Sequence, residues 1–200
     1  SGENTVQHTG RGQTWIGRAF AQRDPDAANA GEDEGGASGA LEDDGGVLDE
    51  LARIMRTAGF DIVLSNRINT FLWNKLLINS VINPLTAIHQ IRNGQLLESP
   101  FLLGIMRRLY EEGCAVARAS GVAIDGGLWE QLLRVCERTA GNRSSMLQDV
   151  LNGRRTEIDW INGHLIRLAD RFGMAAPANR AVFNRIKSLE TAKNRECAIS

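Results

Sequence analysis

The chain has 200 residues, of which 42% are hydrophobic, and a formal net charge of -1. That length allows one or two domains with a sizeable core. Near-neutral charge excludes a global attraction to nucleic acid or to anionic membrane, so any anionic ligand must be held by local groups. The three cysteines, Cys114, Cys136 and Cys197, are scattered. They share no CxxC or Cys/His spacing, which argues against a disulfide framework and a zinc site and points to reduced thiols in a cytoplasmic protein. The most apolar run, Thr70 to Ile88, contains Lys75, three asparagines and Pro84, which is too polar for a membrane span. No secretory signal opens the sequence. Cys197-Ala198-Ile199-Ser200 fits a prenylation box by pattern, but no polybasic run or second lipid site accompanies it.

Taken in chain order, Thr5 to Ile16 alternates weakly and carries Gly10 and Gly12, a pattern that predicts a hairpin or strand pair. Asp24 to Gly46 is acidic and glycine-rich, with almost nothing to bury, and predicts a mobile, solvated surface loop. Val47, Leu48, Leu51, Ile54 and Met55 have helical spacing, so a helix is expected over 47–58 with Gly59 as its stop. Phe60 to Leu64 predicts a short strand. Residues 1–66 thus read as a small α/β piece, the tail of a larger sheet domain whose front is not in this chain. From Arg67 onward the texture is helical throughout. Helices are expected over 68–91 (with Pro84 inside), 101–120, 127–139, 145–151, 157–172 and 178–194, joined by short loops. Residues 67–200 therefore form an all-α domain of about six helices, and the chain as a whole is mostly α.

Three constellations stand out. On a helix, Lys75, Asn79 and Asn83 are four residues apart and span only about 80° of its surface. Their neighbours are largely Trp, Leu, Ile and Val. The stripe is either a solvated face or the wall of a polar cleft. Two features favour the cleft: asparagine is a poor helix former, and Pro84 frees a backbone carbonyl beside it. The second constellation is Asn142-Arg143-Ser144-Ser145-Met146-Leu147-Gln148-Asp149. Ser145 with Gln148 fits a capping box, and a helix start with a free hydroxyl also suits a carboxylate. The third is Gly153-Arg154-Arg155-Thr156-Glu157-Ile158-Asp159-Trp160-Ile161-Asn162-Gly163. Thr156 and Asp159 can cap the next helix, Glu157 favours its dipole, and Gly163 suggests close packing. His8, His89 and His164 show no metal-ligand spacing. There is no GxGxxG, Walker loop or nucleophile elbow.

Together these blocks resemble the ketopantoate reductase (2-dehydropantoate 2-reductase) family, over about residues 4–193. The carrying residues are Trp73-Asn74-Lys75-Leu76 with Asn79 and Asn83-Pro84-Leu85-Thr86-Ala87, then Ser144 to Asp149, then Thr156 to Gly163. Residues 8–17 look like the late strand pair of the family's nucleotide domain. The resemblance implies an N-terminal Rossmann domain, of which 1–66 would be the remnant of a truncated copy, and an all-α C-terminal domain. It implies NADPH-dependent reduction of ketopantoate to pantoate, on the route to pantothenate and coenzyme A. Lys75 matches the family's general acid, Asn79, Asn83, Asn142 and Ser145 match substrate-binding positions, and Glu157 matches the glutamate near the cofactor ribose. A ketone receiving hydride becomes an alkoxide that needs a positioned charge and a proton. A lysine ammonium supplies both, and partial burial would ease the donation. Asn and Ser can hold the substrate's carboxylate and hydroxyl without large net charge. The glycine-rich pyrophosphate fingerprint is missing, so NADP(H) would be held mostly by residues outside this chain, and the chain alone is expected to bind it poorly and not turn over. The partner is a small 2-keto acid, with no nucleic acid and no membrane; the family includes monomers and dimers, which allows a homodimer. Two alternatives are a non-catalytic all-α interaction or dimerisation module and a reductase of another 2-keto acid.

Overall fold

The computed structural model describes residues 13–17 and 45–199. Most of the acidic loop, Gly10, Gly12 and His8 lie outside them, as does the side chain of Cys197. The described residues fall into two compact units, divided between Asn69 and Thr70.

In the first unit, strand β1 (Gln13–Ile16) pairs with β2 (Asp61–Leu64) in parallel, Gln13 opposite Asp61 and Ile16 opposite Leu64. A parallel partner needs a long crossover, and helix α1 (Gly45–Thr57) lies on the way and packs against β2. Of the hairpin or strand pair expected over Thr5 to Ile16, only Gln13–Ile16 is described, and it is a strand; the rest of that stretch lies outside the described residues. Arg56 fastens α1 to the strand by donating to the Ile62 carbonyl at 2.9 Å. Gly59 ends α1 as expected, at a φ of +89° that few L side chains adopt. Ala52 is buried, whereas Val47, Leu51 and Ile54 are exposed along one side of α1.

The second unit is all-α. Helices α2 (Ile68–His89), α3 (Pro100–Ala119), α4 (Leu128–Arg138), α5 (Ser145–Leu151), α6 (Asn162–Arg171) and α7 (Pro177–Ile199) follow one another, with a 3-10 turn over Asn93–Leu96 that the periodicity does not announce. Helix α2 is apolar nearly all round, so it must be buried on most sides. Trp73, Leu77, Val81 and Leu85 enter the larger core cluster with Met106, Leu109, Leu132 and Leu165. Ala87 enters a smaller one with Met146, Leu147, Val150, Ile158, Ile161 and Ile186. Leu76 and Ile88 touch both clusters. Helix α7 packs on α6 and α3. Gly163 is the reason α6 and α7 approach closely: an added Cβ there would sit 3.0 Å from the Phe183 ring.

One helix start shifts by several residues from expectation, and one cap by a single residue. Helix α6 begins at Asn162 rather than Glu157. The Thr156 hydroxyl does accept from the Ile158 N–H, at 3.3 Å, while donating to Glu190, but the chain past it turns without winding into a helix, and Asp159 accepts from Arg155 and Lys187. The intervening turn drives Ile158 and Ile161 into the smaller cluster. At α5 the cap is Ser144, not Ser145: its hydroxyl accepts from the Leu147 N–H at 3.1 Å.

Candidate functional site

Helix α2 carries the Lys75–Asn79–Asn83 stripe, and burial grades along it. Lys75 is exposed, Asn79 half-buried, and Asn83 only 7% exposed. The stripe therefore runs from solvent into the packed interior, which a solvated face would not do. Lys75 is not partly buried as expected. It forms no ion pair among the described residues, so its ammonium is available to a ligand. The Asn83 side-chain amide likewise has no hydrogen-bond partner among the described residues.

Pro84 has no N–H to give the carbonyl four residues earlier, that of Ser80. That carbonyl is not left open. The Asn162 side chain donates to it at 2.9 Å, so the expectation that a freed backbone group would face a ligand is corrected. Asn162 is fully buried, and its second amide hydrogen goes to the Asn179 side-chain oxygen Oδ1 at 3.0 Å. Asn179 in turn donates to Glu112 at 2.8 Å. The Glu112 carboxylate also accepts the Ala178 and Asn179 N–H groups, each at 2.9 Å, satisfying the first donors of α7. A polar chain, buried at Asn162 and Asn179 and half-buried at Glu112, thus ties α2 to α6, α7 and α3.

Three residues past Asn83, the Thr86 hydroxyl meets that of Ser144 at 2.7 Å. This seats the start of α5 against α2. It also explains the shifted cap: Ser144 faces Thr86 and the Leu147 N–H together, leaving Ser145 exposed as the first helical residue. The adjoining loop is held by its backbone. The Asn142 carbonyl accepts from the Asn93 N–H at 3.1 Å, the Ala140 carbonyl from Gly94 at 3.2 Å, and the Gly141 carbonyl from the Arg92 guanidinium. The Asn142 side chain itself is exposed.

Glu157 lies in the turn before α6, exposed and without an ion pair among the described residues. Its neighbours are heavily paired. Arg155 and Lys187 hold the Asp159 carboxyl below its ordinary range, Arg155 contributing most and burial opposing. Burial pushes the Glu190 carboxyl up, but donation from Lys187 and from the Thr156 N–H and hydroxyl outweighs it, so the net shift is downward. A group with a depressed folded value stabilises the fold fully above its ordinary value, and that contribution is lost as pH falls through the folded one. Glu190→Gln is therefore expected to lower the melting temperature at neutral pH, with the gap to wild type closing below about pH 4.5. A gap that widened on acidification would refute this account. Facing α2 from α6, His164 stands with its ring 6.4 Å from that of Trp73. Burial, aided by Arg167, holds its imidazole below the ordinary value, which favours the neutral ring at pH 7.

The structure thus joins the three sequence blocks through backbone and side-chain bonds that all land on Ser80–Thr86 of α2: Asn162 on Ser80, Ser144 on Thr86. It does so through residues that the sequence reading placed in the three blocks but gave no site role. Thr86, Ser144 and Asn162 were legible as polar positions in apolar runs, whereas Glu112, Asn179 and Asn93 gave no sign. Among the described residues no cluster could hold a metal ion, and no helix is long and apolar enough to cross a membrane.

The family model for the C-terminal domain of ketopantoate reductase (PanE/ApbA) matches residues 67–190. The chain is 32% identical over 186 residues to the 2-dehydropantoate 2-reductase of Archaeoglobus fulgidus, covering 93% of this chain and 55% of that protein. Against the Vibrio cholerae 2-dehydropantoate 2-reductase it is 35% identical over 188 residues, covering 94% and 56%. In three dimensions it is similar to a PanE/ApbA family ketopantoate reductase from Ralstonia eutropha, with a TM-score of 0.77 at 29% identity over 94% of this chain and 54% of that one. The chain spans about half the length of the curated relatives it matches. With the helical unit matched almost from end to end, the chain belongs to the ketopantoate reductase family and carries its C-terminal domain.

Proposed function

We propose that this chain supplies the substrate-binding and proton-donating half of an NADPH-dependent 2-dehydropantoate 2-reductase. The observation that carries this reading is the graded stripe of α2, which sets an unpaired ammonium at the solvent end and an unpartnered amide at the buried end. Such an arrangement can hold a small polar anion with its reacting carbonyl toward Lys75. Asn83 and Asn79 hold the keto acid's oxygens through their amides, and Ser145 offers a further hydroxyl. Lys75 stabilises the charge growing on the carbonyl oxygen and delivers the proton that completes the alcohol. Asn142 lies on the anchored loop before Ser145 and adds a further polar contact.

A reduced nicotinamide, when bound, supplies hydride to the keto carbon. The residues described here fit one corner of that cofactor. Glu157, exposed and unpaired, can accept from a ribose hydroxyl, whereas no glycine-rich phosphate turn occurs in the sequence. Residues 1–66 are read as the closing part of a nucleotide-binding domain, supported by the parallel strand pair with α1 between its strands. The working partner is a small 2-keto acid, and the setting is cytoplasmic.

Calorimetric titration of the 200-residue chain with ketopantoate tests this reading. Saturable binding is expected, weakened about tenfold or more by Asn83→Ala, with weak NADPH binding and no turnover. Absence of ketopantoate binding, or binding indifferent to Asn83, would overturn the assignment. Efficient NADPH oxidation by the chain alone would overturn the division of labour.

A further inference from the structure

We propose that Asn162 is the positioning residue of the Asn79–Asn83 turn: its side-chain amide takes, at the Ser80 carbonyl, the place of the backbone donor that Pro84 lacks, and so sets the pitch at which the two asparagines present their amides. This rests on the keto-acid reading above for its functional meaning, and on geometry for the rest. Ser80 and Asn162 are both fully buried, so bulk water cannot take over the bond. A proline inside a helix opens the ladder at the carbonyl four residues back, and the helix bends there unless something occupies the gap. The open position falls between Asn79 and Asn83, one residue past the first and three before the second. Asn162 fills it at 2.9 Å.

The orientation of Asn162 is itself fixed. Its other amide hydrogen is committed to Asn179 at 3.0 Å, and Asn179 is held by Glu112. The pitch of the turn is thereby referred to α3 and α7 rather than to α2 alone. Lys75 lies more than a full turn before Ser80, outside the clamped segment, so loss of the clamp disturbs the two asparagines and spares the lysine. A general loosening of the core would not discriminate in this way.

The test uses the 200-residue chain and the variants Asn162→Ala, Pro84→Ala and the double variant. Pro84→Ala returns a backbone N–H to Ser80, so it makes the Asn162 bond redundant. The readouts are the side-chain amide resonances of Asn79 and Asn83 in nitrogen-15 spectra and the affinity for ketopantoate. In Asn162→Ala both amide pairs are expected to shift or broaden while the Lys75 backbone signal stays in place, and affinity falls about tenfold. In the double variant the amide pairs return and affinity recovers to within about threefold of wild type. Unmoved amide pairs in Asn162→Ala, or a double variant as disturbed as the single one, overturn the proposal. If Asn162→Ala does not fold, the double variant decides: a folded chain with wild-type amide pairs supports the clamp, and an unfolded one refutes it. Wild-type chain that ignores ketopantoate, with amide pairs responding as expected, sinks the substrate reading and leaves the role of Asn162 standing.

Discussion

Joined to a nucleotide-binding half, the Lys75→Ala variant is expected to lose about 10²- to 10⁴-fold in ketopantoate-dependent NADPH oxidation, while its affinity for NADPH changes little. The argument is positional. Lys75 sits on the stripe that leads to Asn83, exposed and free of any carboxylate among the described residues, so its charge is not already spent on an ion pair. An alkoxide formed beside it gains a fixed positive charge and a proton source together, both absent in alanine. Because this interaction grows only as the oxygen becomes negative, the loss should fall on kcat more than on KM. A Lys75→Ala enzyme with unaltered kcat would remove Lys75 from the chemistry and reduce the stripe to a binding surface.

The second large effect concerns stability. Glu112→Ala should lower the free energy of unfolding by about 2–4 kcal/mol, read as a shift in the urea midpoint at near-constant slope. Glu112 accepts three hydrogen bonds at the start of α7: the Ala178 N–H, the Asn179 N–H and the Asn179 side-chain amide. Its removal orphans two helix N-terminal donors and loosens Asn179, which holds Asn162. Glu112→Gln keeps one oxygen acceptor and should fall between wild type and alanine. A midpoint unmoved in Glu112→Ala would mean that water satisfies those donors equally well.

What could be read in the sequence follows the range of the interaction. Helix ends marked by glycine were legible, because a positive φ is a local requirement: Gly59, Gly121 and Gly173 all adopt it just beyond α1, α3 and α6. The spacing of Lys75, Asn79 and Asn83 was legible because it depends only on helical pitch. The burial gradient along them was not, since it depends on what packs around α2. The same holds for the caps. Ser144 and Ser145 are equal candidates by composition, and a contact with Thr86, 58 positions away, decides between them. Thr156 keeps a cap-like bond from the Ile158 N–H, but its hydroxyl proton goes to Glu190, 34 positions on, which nothing local announces. The Pro84 carbonyl vacancy was legible, and its occupant, Asn162, was not, because a proline announces the missing donor without saying which side chain replaces it.

The apolar side of α1 has a practical side. Val47, Leu51 and Ile54 lie in water along one stripe of a short helix, which is the kind of surface through which copies of a protein adhere to one another at high concentration. That stripe is therefore one place at which solubility during purification can be adjusted. A charged residue at position 51 would break the stripe at its middle while leaving the buried Ala52 in place.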